Sequence, residues 1–332
     1  MLTWVVDHPT TIDDDPLRRI ERELPAPGPS QVRVRISCCG VCRTDLHLCE
    51  GDLVPRRAAV APGHEVVGVV DAVGSSAGRF AVGERVGVPW LASTCGRCDA
   101  CRRGAENLCV APTFTGWDLD GGYADQCLVD EAYAYRLPDS LTDEQAAPLL
   151  CAGSIGYRSL LRAEVPRGGS LGLYGFGGSA HITAQLALHL GIRVHVLTRG
   201  EANQKLAREL GADSVGPSDG VPPEPLDGAI LFAPAGELVP VAMRALAPGG
   251  TLAVAGIWLS DIPALHYETE LFHEKQLRSV TANTRADGEE FLRLAARFGI
   301  RATTTAYPMS EAPRALSDLA HGRFGGAAVL HN

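Results

Sequence analysis

Residues Ser170–His181 read SLGLYGFGGSAH, and this stretch decides the fold. SLGLY is an apolar run of strand length that leads straight into Gly175-Phe176-Gly177-Gly178-Ser179-Ala180, after which Ala, Ile and Leu recur at helical spacing. A glycine-rich turn between a strand and a helix is the dinucleotide fingerprint. Gly175 permits the tight turn, Gly177 lets the backbone approach a pyrophosphate, and Ala180 takes the third glycine's place at the helix–strand contact. The helix N-terminus behind the turn offers unpaired N–H groups and partial positive charge to phosphates. Outward from the turn, RVHVLTR, DGAILFA and TLAVAGIW read as strands, with EANQKLARELGA and LVPVAMRALAPGG as helices between them. Repeated strand–helix units predict an α/β, doubly wound parallel sheet covered by helices on both faces.

The end of the second strand bears on the cofactor's ribose. An NAD site usually places Asp or Glu about 20 residues beyond the turn, bonding the 2′-hydroxyl. This chain has Thr198 and Arg199 there. With no carboxylate to repel a 2′-phosphate, and Arg199 able to pair with one, NADP is favoured and NAD stays possible. The alternative is that Arg199 is a solvated turn residue.

Upstream, QVRVRISCCG, HEVVGVVDAVG, RVGVPWL and YADQCLVD are strand candidates separated by PAPGPS and GSSAG turns, so the first part reads as an all-β lobe. SLTDEQAAPLLCAGSIGYRSLLRA then opens a helical stretch behind a Ser or Thr cap. The last fifty or so residues predict two helices and a terminal strand, AAVL. Within the first lobe, Cys95, Cys98, Cys101 and Cys109 are spaced C-x2-C-x2-C-x7-C. Four thiolates this close can enclose one structural Zn2+, although iron–sulfur ligation uses similar spacings. Cys38, Cys39, Cys42, Cys49, Cys127 and Cys151 remain. None of them lies near His64 in sequence, and periodicity alone makes Cys151 a buried thiol and His64 a turn histidine.

The bulk numbers exclude several classes. At 332 residues, 45% hydrophobic, the chain suits two soluble domains. It has no long uncharged apolar run to span a membrane, and its acidic start, MLTWVVDHPTTIDDD, is unlike a signal peptide. A net charge of −9 with no basic block argues against nucleic acid. The lack of an apolar span and of a signal-like start points to the cytoplasm, and ten cysteines in such a chain point to metal ligation or catalysis.

GVCRTDLH, GHE, the four-cysteine lobe, LLCAGSIGY and GFGGSAH follow one another in the order seen in zinc-dependent alcohol dehydrogenases, the zinc branch of the medium-chain dehydrogenase/reductase family. The chain resembles that family over essentially its whole length. The resemblance implies a GroES-like β-barrel catalytic domain over residues 1–148, carrying the structural-zinc lobe at 95–109. A Rossmann domain over 149–280 and a C-terminal return over 281–332 complete it. It implies two zinc ions per chain. The catalytic one would be held by Cys42, His64 and Cys151, with Glu65 a further ligand. Thr44 and His47 would form the proton relay, and Asp45 would orient His64. The turn residues Gly175–Ser179, with Thr198 and Arg199, would hold the cofactor. The implied partner is a small alcohol or aldehyde, and the implied assembly a homo-dimer or tetramer. A polyol or amino-alcohol dehydrogenase is the alternative, and a non-enzymatic zinc protein a remote one.

Departures from the family's pattern are Ile155 after LLCAGS, Ser179 in the turn, and Ala327 where relatives carry a phosphate-contacting Arg, a charge that Arg285 or Arg323 could supply. Trp90 resembles an aromatic wall of the substrate pocket, and Trp117 could add to it. Cys49 and Leu53 stand where ethanol-type relatives have Trp, so a wider pocket is expected, one preferring medium-chain or aromatic alcohols over ethanol.

Overall fold

Alternation of apolar and polar residues along Gln31–Val41 produces the longest strand, whose even-numbered valines and Ile36 are buried. The computed structural model describes residues 1–332. The long strand lies inside a seven-stranded sheet ordered Thr304–Pro308, Ala327–His331, Gln31–Val41, Val66–Val73, Arg85–Val88 and Tyr135–Arg136, with Gln126–Asp130 also paired to Gln31–Val41. All these pairings are antiparallel except Thr304–Pro308 with Ala327–His331. The run RVGVPWL is broken into Arg85–Val88 and Leu91–Ser93 around Pro89, which has no N–H to give a ladder.

The second sheet has six strands, all parallel, ordered Ser214–Gly216, Arg193–Leu197, Ser170–Tyr174, Leu226–Leu231, Leu246–Val254 and Gln276–Ser279. Numbered within that sheet, the order is 3-2-1-4-5-6, the Rossmann arrangement. Its switch point falls between Ser170–Tyr174 and Leu226–Leu231. The fold is therefore α/β, a GroES-like lobe plus a Rossmann sheet.

The chain divides into two compact units. One comprises Met1–Cys151, Ala282–Ala296 and Ala302–Asn332; the other comprises Ala152–Thr281 and Arg297–Arg301. Thr142 caps the helix Asp143–Pro148 by accepting the Gln145 N–H at 3.3 Å, as the sequence leads one to expect. The helix does not continue regularly. Leu149–Gly153 is a π-helical turn, followed by the helix Ser154–Ala163. Pro148 supplies a physical reason, since proline can neither donate into the ladder nor clear the preceding turn. No helix is long and apolar enough to cross a membrane.

Candidate active site

Three separate segments converge in the first unit. Cys42 directly follows the long strand and caps the helix Arg43–Glu50, His64 and Glu65 precede Val66–Val73, and Cys151 sits on the π turn. The donor atoms of Cys42, His64, Glu65 and Cys151 all lie within 4.8 Å of one another. Glu65 fits because residue 40 is glycine. A Cβ there would fall 1.8 Å from Glu65 Oε2.

The charges are arranged for a cation. The Cys151 sulfur, 3.9 Å away, together with the charge of His64, holds the Cys42 thiol well below its usual range against the effect of burial. The same contact with Cys42, and then burial, push Cys151 well up. Burial opposes charge on His64, but the Asp45 carboxylate outweighs it and raises the imidazole well above its ordinary value. A metal at Nε2 would displace that proton. His64 Nε2 is buried and has no hydrogen-bond partner. Zn–S bonds of 2.3 Å in a tetrahedron put sulfurs about 3.8 Å apart, so two thiols, an imidazole nitrogen and a carboxylate at these spacings fit Zn2+.

Asp45 joins the segments. Its Oδ2 accepts the Cys42 N–H at 2.9 Å, and its Oδ1 accepts the Gly63 N–H at 2.9 Å and His64 Nδ1–H at 3.2 Å. Asp45 is 2% exposed, so these bonds act at low dielectric. The Tyr123 hydroxyl completes the set at 3.4 Å from Oδ2. Thr44, buried, lies with Oγ1 3.7 Å from Cys42 Sγ. His47 Nδ1 lies 2.9 Å from Asp52 Oδ2, a partner that sequence reasoning missed. Tyr123 and Gly40 were missed as well. Glycine at the end of a strand was the available signal for Gly40, whereas nothing local marks Tyr123.

The second cluster brings the sulfurs of Cys95, Cys98, Cys101 and Cys109 within 4.8 Å of one another. Backbone N–H groups converge on them. Cys109 Sγ accepts from Cys95 N at 3.2 Å and from Ala111 N at 3.4 Å. Hydrogen bonding from the Cys101 and Val110 backbone brings the Cys98 thiol down to about 6. Burial, then the neighbouring sulfurs of Cys98 and Cys109, take Cys101 up to about 11. All ten cysteines are free thiols. The lobe is held by Tyr133, whose hydroxyl meets Thr94 N at 2.9 Å and Oγ1 at 2.7 Å. Arg285 also holds it, through contacts to Glu106 Oε2 at 2.6 and 3.1 Å and Oε1 at 3.0 Å. Arg285 is thus committed to the lobe, and Arg323 pairs with Asp318 at 3.0 Å. Both arginines expected to replace the charge missing at Ala327 already have carboxylate partners.

In the second unit, Gly175 has φ +87°, and a Cβ there would fall 2.9 Å from Ala233 N, so the turn requires glycine. Gly177 precedes the helix Gly178–His189 with open space where its Cβ would stand. The residues fit a dinucleotide phosphate there, and the turn lies at the strand-order switch. Phe176 is buried and Ser179 half-buried. Past Arg193–Leu197, Thr198 is buried with its N–H on Gly216 O at 3.0 Å, and Arg199 is exposed.

Aromatic rings flank the first cluster. Trp90 meets the His64 ring edge-on at a centroid distance of 4.9 Å and stacks on Phe114 at 4.8 Å and Trp117 at 6.0 Å. Arg56 covers Trp117 at 3.6 Å. Trp117 therefore belongs to the aromatic stack that Trp90 begins. Cys49 does not. It is fully buried in the hydrophobic core, where burial raises its thiol pKa.

Comparison with known proteins agrees with this geometry. Residues 28–139 match the "Alcohol dehydrogenase GroES-like domain" and residues 178–297 the "Zinc-binding dehydrogenase" family models. The chain is 56% identical to "Probable alcohol dehydrogenase AdhA" of Mycobacterium tuberculosis, over 99% of this chain and 97% of that one. A Sorghum bicolor cinnamyl alcohol dehydrogenase superposes with a TM-score of 0.90 at 27% identity, covering 99% of this chain and 97% of the other. An NADP-bound crystal structure from Sinorhizobium meliloti 1021, described as a zinc-binding dehydrogenase, superposes with a TM-score of 0.86 at 25% identity, covering 100% and 99%.

Proposed function

Since this chain belongs to the zinc-binding alcohol dehydrogenases of the medium-chain dehydrogenase/reductase family, we propose that it interconverts medium-chain or aromatic primary alcohols and their aldehydes with NADP(H) in preference to NAD(H). The observation that carries the reading is the convergence of Cys42, His64, Glu65 and Cys151 donors within 4.8 Å. Cys42, His64 and Cys151 would hold a catalytic Zn2+, with Glu65 as the ligand that gives way. Cys95, Cys98, Cys101 and Cys109 would hold a closed structural one. Bound at the first site, Zn2+ supplies Lewis acidity toward a hydroxyl or carbonyl oxygen, and the nicotinamide supplies the hydride chemistry.

The chain's own residues do the rest. Oxidation of the alcohol sends a hydride to the cofactor and a proton to solvent. Thr44 Oγ1 can accept and pass on the proton, and His47, oriented by Asp52, can release it. Trp90, Phe114 and Trp117 present stacked apolar faces suited to aromatic or extended alkyl groups. Exposed Arg199, with no carboxylate between Arg193 and Gly200, favours a 2′-phosphate.

We also read the chain as a homo-oligomer. Ile257, Trp258, Ile262, Tyr267, Leu271 and Phe272 are large apolar residues exposed within a short segment. Ten free thiols, nine of them in the two clusters or on the core strands around them, suit the reducing cytoplasm.

Initial rates over ethanol, hexanol, benzyl alcohol, their aldehydes and a polyol, with both cofactors and alongside zinc quantification, test these readings. The expectation is two zinc per chain, kcat/KM rising from ethanol to benzyl alcohol, and a higher kcat/KM with NADP(H). Equal or better use of NAD(H) would refute the cofactor assignment, and a flat or polyol-directed series would refute the substrate class.

A further inference from the structure

Tyr123 is fully buried in the first unit, far in sequence from every donor residue, yet its hydroxyl points at the carboxylate that holds two of them. The four hydrogen bonds to Asp45 are divided evenly. Oδ1 takes Gly63 N–H and His64 Nδ1–H, and Oδ2 takes Cys42 N–H and Tyr123 O–H. Three of these donors are fixed by backbone or by the donor residue itself. Only the tyrosine comes from outside the segments that carry the site.

The ring has a second contact with the same machinery. Gly63, at φ +98°, precedes His64, and a Cβ on it would fall 2.6 Å from Tyr123 Cδ1. The tyrosine face is therefore packed against the backbone that presents the histidine. Its main chain is fixed too, with Tyr123 N–H on Pro62 O at 3.0 Å and Tyr123 O accepting Trp4 N–H at 2.8 Å. Burial, then the Asp45 charge, raise its phenol well above the ordinary range, so it acts as a neutral hydrogen-bond donor. What this assembly aims is an imidazole nitrogen, His64 Nε2, that is buried with no hydrogen-bond partner.

We propose that Tyr123 is a positioning residue for the catalytic metal, acting through Asp45 to hold His64 in its ligating orientation. The proposal rests on Cys42, His64 and Cys151 forming a zinc site. Removing the hydroxyl leaves Oδ2 with one donor, and the carboxylate gains freedom to rotate away from His64 Nδ1. Groups that directly orient a ligating histidine govern metal affinity about 10- to 100-fold. Tyr123 acts one bond further out, so an effect of about 3- to 10-fold is expected.

The test is Tyr123→Phe, which keeps the ring against Gly63 and removes only the oxygen. Zinc release to a chromophoric chelator is followed for the wild type, Tyr123→Phe, Asp45→Asn and the double variant. Wild type should release two zinc equivalents at distinct rates. A single equivalent would refute the zinc-site reading itself, separately from the proposal. Tyr123→Phe should speed release of the catalytic equivalent about 3- to 10-fold and leave that of the four-cysteine equivalent unchanged, which serves as the control for general loosening. On the Asp45→Asn background the same substitution should add almost nothing. Unchanged release in Tyr123→Phe, faster release of both equivalents, or equal acceleration with and without Asp45 would each overturn the proposal.

Discussion

At the scale of single residues, the ten cysteines fall into different physical environments although their side chains are identical. Cys38, Cys39, Cys49 and Cys127 are buried thiols with pKa values pushed up mainly by burial, to about 12 for Cys38 and Cys127. Half-buried Cys42 is driven the other way, by Cys151 and His64. Cys42→Ser is expected to give folded protein with activity lost by about three orders of magnitude or more, because it removes a ligand of the group that supplies the chemistry. Cys95→Ser should lower the thermal midpoint and soluble yield while the remaining soluble protein still reduces aldehydes. Far-UV circular dichroism, thermal melts and aldehyde reduction on both variants decide it, and exchanged phenotypes would refute the division. The four-cysteine spacing was legible in the sequence because its ligands are near neighbours. The Cys42–His64–Cys151 set was not legible from spacing, since its members meet only through tertiary structure; the resemblance of ordered motifs pointed to them. Asp52 and Tyr123 had no motif to mark them and needed coordinates, and Gly40 was marked only as a glycine near a strand's end.

At the scale of elements, strands with clean alternation were readable, and Gln31–Val41 extends one residue past its expected end. The helical stretch expected after residue 142 is present but broken by a π turn that periodicity did not show, because periodicity counts apolar residues and does not register a missing proline donor inside the run. That turn carries Cys151, so the irregular element is the one that brings this thiol to Cys42, His64 and Glu65. The helix Arg285–Phe298 shows how an element can clamp a distant loop. Thr284 and Asp287 cap it reciprocally, and Glu106 accepts both the Arg285 N–H at 2.8 Å and its guanidinium. Burial raises the Glu106 pKa, but Arg285 outweighs burial and holds it below the usual carboxylate value. A depressed folded-state pKa contributes stability above the unfolded value and loses it as pH falls through the folded one. The clamp should therefore contribute about 1–2 kcal/mol at neutral pH, limited by the partly exposed guanidinium. Denaturant unfolding of wild type and Arg285→Ala should differ by that amount at pH 7 and converge below the ordinary carboxylate range. A difference that persists in acid would show that packing of Arg285 over Tyr133, at 4.5 Å, is the larger effect.

At the scale of the whole molecule, the strand order 3-2-1-4-5-6 follows from strand–helix alternation, and the glycine turn appears at the switch point that alternation implies. The exposed apolar segment from Ile257 to Phe272 was invisible beforehand, because composition does not tell which apolar residues remain uncovered. Trp258→Glu is expected to shift the protein toward monomer in size-exclusion chromatography with light scattering, since a charge would then need burial in an apolar contact. An unchanged mass would refute this segment as the contact of the proposed homo-oligomer. The C-terminal strand adds a consequence of another kind. Ala327–His331 pairs with Gln31–Val41 as Ala328 to Val41 and His331 to Cys38, and Asn332 ties to Ile36 and Ala124 through its side chain. The sheet that leads into Cys42 is therefore completed only by a pairing between strands far apart in sequence, whereas most of the other unit is the continuous stretch Ala152–Thr281. The first sheet should therefore be the slower of the two to form in refolding, because pairings between distant segments cost more loop-closure entropy before they are repaid.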